Sequence, residues 1–491
     1  MAATPSGDPG LKRSLSIWAA VGLSVALMAP SMAANINPQG SATYAGRAVP
    51  LTFLIAAVGV LLVAYSFVRL CQYFHHAGSV YAFVGATLGP RTGVVAGWGL
   101  LGTYTFYAVV TSAAAGIFGT AFLQEVGIWH NPPTWAPFVL LAVALVLALV
   151  LAIMPVRRGG HVLLTVEATT VALILIVTAV VLVRLLAGNA PGGHTFTWSV
   201  FTVPPGISSS GLFLGVVFGF LSFAGFEAAA TLGEEANRPT RDIPRAIFGV
   251  AVFGGVYFVV VTAVEMMGFG TSTAGVNAFI ASPSLLGDLG STYVGHWVGD
   301  IITLGTAFSA FGCCLACVVG GARLLYALSR GPAWATLVVV LAAGVIVAIQ
   351  AAVAAQAAAF NSFLWSGTIG TLILLVVYVL ASIGCIMLVF VRHKLPVPMW
   401  QIVIPLAGLV VLGYTLYRNV IPYPTSGPPE WFPIVAGVWL LVAVAAVIVA
   451  PGTARKLGAA LGAREGIKAP GVEEAELPAA DRTRGGIAGG S

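Results

Sequence analysis

Two carboxylates, Glu167 and Glu227, stand inside long apolar stretches where a charged group has no water to solvate it. Such an acid is either held by hydrogen-bond donors or exchanges a proton, and at membrane depth it is read first as functional. Around Glu227, the stretch "GFLSFAGFEAAATLGEEANRP" (Gly219–Pro239) adds Ser222 and Gly225. A second polar interruption, "LSVALMAPSMAANINPQG" (Leu23–Gly40), contains Pro30. Proline lacks an amide hydrogen and clashes with the preceding turn, so a helix is predicted to open around Ala29–Ala33. The amides from Ser31 to Ala34 would then begin a half-helix whose positive end suits a carboxylate. The carbonyls of Phe220, Leu221, Ser222 and Ala224, freed at the second opening, suit an ammonium. The plain alternative is a proline kink in one helix and a glycine packing contact in the other.

A broken helix lining a cavity tolerates a polar group that a lipid-facing helix does not. Glu227 is expected just inside the second half-helix, where terminal amides hold a fixed charge or where it carries a proton. Glu167, in "LLTVEATTVAL", lies in an unbroken helix whose amides are already paired, which makes it the expected coupling-sensitive acid. Glu265, toward the outer end of its span, reads as an interfacial residue.

The elements that position these residues are membrane helices. Of the 491 residues 59% are apolar and only 8% charged, a composition that excludes a soluble globular domain. Twelve apolar spans are expected, at 15–36, 49–69, 94–123, 135–154, 161–187, 209–235, 244–270, 297–328, 333–355, 360–391, 398–418 and 431–450. Residues 1–14 form an N-terminal segment, 15–450 one membrane domain, and 451–491 a charged, Gly/Ala-rich tail expected to be disordered.

Counting from a cytoplasmic N-terminus, the inner side carries Lys12, Arg13, Arg69, Arg91, Arg157, Arg158, Arg238, Arg241, Arg245, Arg323, Arg330, Arg392 and Lys394. Only Arg47, Arg184 and Arg418 fall outside, so both termini are expected in the cytoplasm and the chain in the cytoplasmic membrane. Lys12, Arg13 and "APSMAAN" imitate a cleavable signal, but cleavage would leave eleven spans and strain this charge pattern. The two interrupted spans are the first and the sixth. Two inverted halves of five spans place them at matching positions, the sequence pointer to a transporter's binding site, with spans eleven and twelve outside the repeat.

Other chemistries are weak. Cys314 and Cys317 have C-x-x-C spacing without a His or acid nearby, so all five cysteines read as packing residues and no metal is expected. The net charge of +6 sits in short loops and the tail, which argues topology rather than nucleic acid. No phosphate-binding G-x-x-x-x-G-K-[ST] loop or H-E-x-x-H motif occurs, and the histidines lie in loops or at span ends. The chain is not expected to be an enzyme or to carry a cofactor.

"AGFEAAATLGEEANRPTRDIPRAI" (Ala224–Ile247), "HHAGSVYAFVGATLGPRTGVVAGW" (His75–Trp98) and "ARLLYALSRG" (Ala322–Gly331) resemble the motifs of the amino acid–polyamine–organocation permeases. The resemblance runs from about Leu15 past Arg330. It implies an all-α fold of twelve transmembrane helices, a five-plus-five inverted repeat with two additions, and transport of amino acids or related amines. It also implies Ser31 and Met32 amides, with Ala33 adjoining, for a substrate carboxylate, and Met28, Leu221 and Ala224 carbonyls for its amine, beside Ser222 and Gly225. Two departures stand out: Pro30-Ser31-Met32 replaces the family's Gly-Ser-Gly, and the loop after span eight is about 20 residues short.

Spans one, three, six, eight and ten are then expected to line the side-chain pocket, with Tyr104, Tyr107, Cys313 and Trp365 as candidate liners. Spans three, eight and ten carry no acid, so neutral substrates are expected over cationic ones. Glu234, Glu235 and Asp242 with Arg238, Arg241 and Arg245 make either an inner gate of ion pairs or a helix start. The expected partners are the substrate, a coupling proton or sodium ion, and the bilayer. A non-transporting sensor or an intramembrane enzyme is the alternative.

Overall fold

The computed structural model describes residues 16–74, 79–154, 159–233, 235–326, 332–354, 358–424 and 427–464, and among these the regular elements are helices. Residues α1 (Ile17–Met28) and α2 (Pro30–Ala45) make the first broken span, and α3 (Val49–Tyr73) follows. The first half is completed by α4 (Val80–Leu88), α5 (Pro90–Glu125), α6 (Ala136–Ile153) and α7 (Gly159–Leu186). The second opens with α8 (Ser209–Phe223), a 3₁₀ turn (Ala228–Leu232) and α9 (Pro239–Phe269). A short pair, α10 (Thr273–Ala281) and α11 (Leu285–Tyr293), precedes α12 (His296–Tyr326), α13 (Pro332–Val353) and α14 (Ala359–Ile386). Then come α15 (Val403–Val420), α16 (Trp431–Val449) and α17 (Pro451–Arg464).

Eleven helical runs among the described residues are long and apolar enough to cross a membrane. The first, Ile17–Tyr73, takes in two of the twelve expected spans, because a 3₁₀ turn at Gly46–Ala48 joins α2 to α3 without a gap. Elements of equal rank in the two halves touch: α1 meets the 3₁₀ turn, α2 meets α8, α3 meets α9, α5 meets α12 and α6 meets α13. That pairing accords with an inverted repeat around a pseudo-two-fold axis. Burial separates the centre from the rim. In the most apolar stretch of α5 78% of residues are buried, against 17% in that of α16, which belongs to the lipid-facing periphery.

The tail departs from expectation. Residues 451–464 are not disordered but form α17, which seats Ala454, Ala459 and Leu461 against α4 and α5. Its few small apolar residues are buried by the helices beside it, so average composition understated what it buries. Residues 465–491 lie outside the described residues.

The break at the first span is a single residue. Ala29 has φ 44° and ψ 59°, and Pro30 occupies the first position of α2, where its missing amide costs nothing. The left-handed region costs an alanine about 1–2 kcal/mol. Ala29→Gly relieves that cost but adds unfolded-state freedom, so its stability should stay within about 1 kcal/mol of the parent. Ala29→Val, β-branched in the same conformation, should melt clearly lower. Thermal unfolding of the two purified variants checks the order.

Candidate functional site

The two broken spans meet at their breaks. After Phe223 the chain turns through Gly225, at φ 101°, before the 3₁₀ turn resumes. A Cβ on Gly225 would lie 2.8 Å from Leu27 Cβ and 3.0 Å from the Leu27 carbonyl carbon, so only glycine lets this backbone lie on the end of α1. Hydrogen bonds staple the junction on both sides. The Ala229 amide donates to Ser24 Oγ (2.9 Å), and Asn37 Nδ2 donates to Ser222 Oγ (2.7 Å).

A cavity opens on this junction. Met28 and Met32 line it from the first break, and Leu221, Ala224, Gly225 and Glu227 from the second. Tyr104 and Tyr107 of α5 and Cys313 of α12 close the side. Of the other expected residues, Ser31, Ala33, Ser222, Glu167 and Trp365 lie off its lining. Ser222 instead donates to the Phe218 carbonyl (2.9 Å) while accepting from Asn37.

The amides expected to receive a ligand carboxylate are already engaged. The Ser31 amide donates to Glu167 Oε1 (2.9 Å) and the Met32 amide to Ser309 Oγ (3.3 Å). Glu167 thus caps the positive end of α2 from α7, where a carboxylate is favoured. Glu227 is set differently. It precedes the 3₁₀ turn without capping it, lines the cavity, and encloses Oε2 without a hydrogen-bond partner, with Tyr378 of α14 beside it.

Three expectations are corrected here. Glu167, expected to find no free amide, is held by the leading Ser31 amide of α2. Glu265 is not interfacial: it is fully buried in α9, with neither carboxyl oxygen hydrogen-bonded. And the search for a counterion over spans three, eight and ten, which carry no acid, was too narrow, because Glu227 from span six also lines the cavity.

A sequence profile of the amino acid permease family matches residues 39–446. The chain belongs to the amino acid permease family. Among similar proteins, the branched-chain amino acid permease BcaP of Bacillus subtilis (strain 168) is 26% identical over 67% of this chain and 69% of its own. The low-affinity putrescine importer PlaP of Escherichia coli (strain K12) is 26% identical over 65% and 67% respectively. The chloroplastic cationic amino acid transporter 7 of Arabidopsis thaliana is 24% identical over 88% and 75%.

In this permease the stretch 235–245 serves as a helix start. Pro239 opens α9, Asp242 sits in its first turn, and the Arg238 carbonyl accepts from the Arg241 and Asp242 amides. Glu234 and the short loop 327–331 lie outside the described residues.

Sequence reasoning missed Asn35, Ser309 and Cys317, the last also on the cavity lining. Asn35 on α2 donates to Thr306 Oγ1 (2.9 Å) and accepts from the Leu286 amide (2.8 Å) and Ser284 Oγ (3.3 Å). Gln39 donates to the carbonyls of Ser282 (2.5 Å) and Phe279 (3.1 Å), so α2 carries the α10–α11 pair. Nothing in the spacing from 35 to 286 announces that contact. Asn35→Ala would leave the buried Leu286 amide unpaired, at about 1–3 kcal/mol. Hydrogen exchange across Leu285–Tyr293 should accelerate accordingly, while α5 and α12 exchange as in the parent.

Proposed function

We propose that this permease is a secondary transporter that moves amino acids or related amines across the cytoplasmic membrane by alternating access. The observation that carries the reading is the convergence of two helix breaks, at Ala29 and Gly225, on one cavity. A ligand at such a junction contacts both half-helices of both spans, so the rocking of one inverted half against the other can expose it to either side. Met28, Leu221 and Ala224 would present main-chain carbonyls, Met32, Tyr104 and Cys313 side-chain walls, and Glu227 the acid. The absence of a phosphate-binding loop from the sequence favours an ion or solute gradient as the energy source. The basic loops favour both termini in the cytoplasm.

Of the two acids we read Glu227 as the one that exchanges a proton or meets an ammonium, a reading supported by the amide partner that Glu167 already has and by the unpartnered Oε2 of Glu227. Uptake of a labelled panel of amino acids and amines into proteoliposomes, under imposed proton and sodium gradients, tests the reading. Saturable uptake that follows one gradient, or exchange against internal solute, is the expected result. Saturable binding with no uptake under any condition would instead select the sensor.

A further inference from the structure

The amides that lead α2 are committed within the protein, and the cavity wall holds an unpaired carboxylate oxygen. At the start of α2, Pro30 has no amide hydrogen, Ser31 donates to Glu167 Oε1, Met32 to Ser309 Oγ, and Ala33 to the Ala29 carbonyl (2.8 Å). The half-helix therefore turns no uncommitted leading amide toward a ligand. The threonine hydroxyls on the lining are committed as well: Thr103 donates to the Gly370 carbonyl, Thr111 to Tyr107 and Thr231 to Ala228. The Cys313 thiol donates to the Leu27 carbonyl (3.3 Å). On the acceptor side stands Glu227 Oε2, enclosed and unpartnered.

A ligand carboxylate entering this site would meet no uncommitted leading amide at α2. It would also face a like charge, because Glu167 is already seated on the positive end of the half-helix, and a desolvated anion without donors is strongly disfavoured. A ligand ammonium, by contrast, finds a carboxylate that has one oxygen to spare. Glu167 is 5% exposed and lies off the cavity lining, so it occupies the anion position without being available as a counterion for the ligand.

Resting on the transporter reading above, we propose that the cavity selects organic amines lacking an α-carboxylate. Glu167 sets that selectivity by filling, with the protein's own carboxylate, the place a substrate carboxylate would take. This reverses the sequence-based expectation of neutral zwitterions, because an acid from span six lines the pocket and an acid from span five fills the anion position.

The test uses the full-length permease in lipid nanodiscs and matched pairs that differ only by the carboxylate: isoamylamine with leucine, phenethylamine with phenylalanine, putrescine with ornithine. In each pair the decarboxylated member is expected to bind at least about tenfold tighter, since unmet polar groups are rejected far more strongly than apolar mismatches. Glu167→Ala frees the Ser31 amide and should narrow that ratio at least about tenfold by raising amino acid affinity. Glu167→Gln keeps an acceptor for Ser31 and the fold, removes the like charge, and should narrow it less. Amino acids binding as well as or better than their amines in the parent protein would overturn the selectivity while leaving the transporter reading intact. Binding of neither class overturns both. An unchanged ratio in the two variants that nonetheless bind ligand removes Glu167 from the selectivity.

Discussion

Gly225→Val is expected to reduce uptake and ligand binding at least about 100-fold while the protein still inserts and purifies as the parent does. Two independent obstacles combine at this residue. The backbone sits at φ 101°, outside the range of a β-branched side chain, and the new Cβ would start 2.8 Å from Leu27 Cβ. The strained conformation alone costs about 1–3 kcal/mol, and the cheapest escape is to rotate the backbone toward a continued helix. That escape would redraw the backbone at Ala224 and Gly225 on the cavity lining and push α1 away from the 3₁₀ turn that Ser24 holds. Gly225→Ala has the same φ penalty with a smaller side chain and should give an intermediate loss. Equilibrium binding to protein in detergent, alongside uptake, separates a destroyed site from a slowed cycle. Parent-like affinity in the valine variant would show that the junction at Leu27 is not where the ligand binds.

How far the site could be read from sequence follows the range of the interactions that build it. Pro30 and Gly225 act on their own backbone, so both breaks were legible: proline cannot continue the preceding helix, and glycine admits the positive φ found at the second opening. The spans were equally legible, because crossing hydrocarbon imposes a length and composition on each one separately. What failed were contacts between distant residues. Glu167 sits on the Ser31 amide 136 positions away, and no local pattern in α7 announces that its side chain reaches the first break. Glu265 looked interfacial from its place near the end of a span, but α9 is covered by α10 and α11, which bury that end. Asn35 and Gln39 carry that pair, a role invisible in "NINPQ" because their partners are largely main-chain atoms of another segment. The C-terminal helix was lost for a related reason: a few small apolar residues matter only once α4 and α5 supply a surface for them.

Glu227→Gln should weaken binding of cationic amines at least about 30-fold while leaving the affinity of uncharged analogues of the same shape within about threefold. Glutamine keeps the length and one acceptor oxygen of the acid, so the cavity wall is preserved and the charge is the main loss. An ammonium in this enclosure gives up its water, and an unpaired buried ion is far less stable than a paired one. Removing one member of a desolvated, hydrogen-bonded charge pair typically costs about 2–5 kcal/mol, which sets the expected factor. Oε2 is enclosed and unpartnered before any ligand arrives, so a new donor there displaces no existing hydrogen bond of that oxygen. Tyr378, beside the acid on α14, gives a control: Tyr378→Phe removes a hydroxyl but no charge, so it should alter amine affinity much less than Glu227→Gln does. Direct titration of isoamylamine and its uncharged alcohol counterpart, at one pH and salt concentration, measures both arms. Equal weakening of amine and alcohol would mean that Glu227 shapes the cavity wall instead of pairing with a cation.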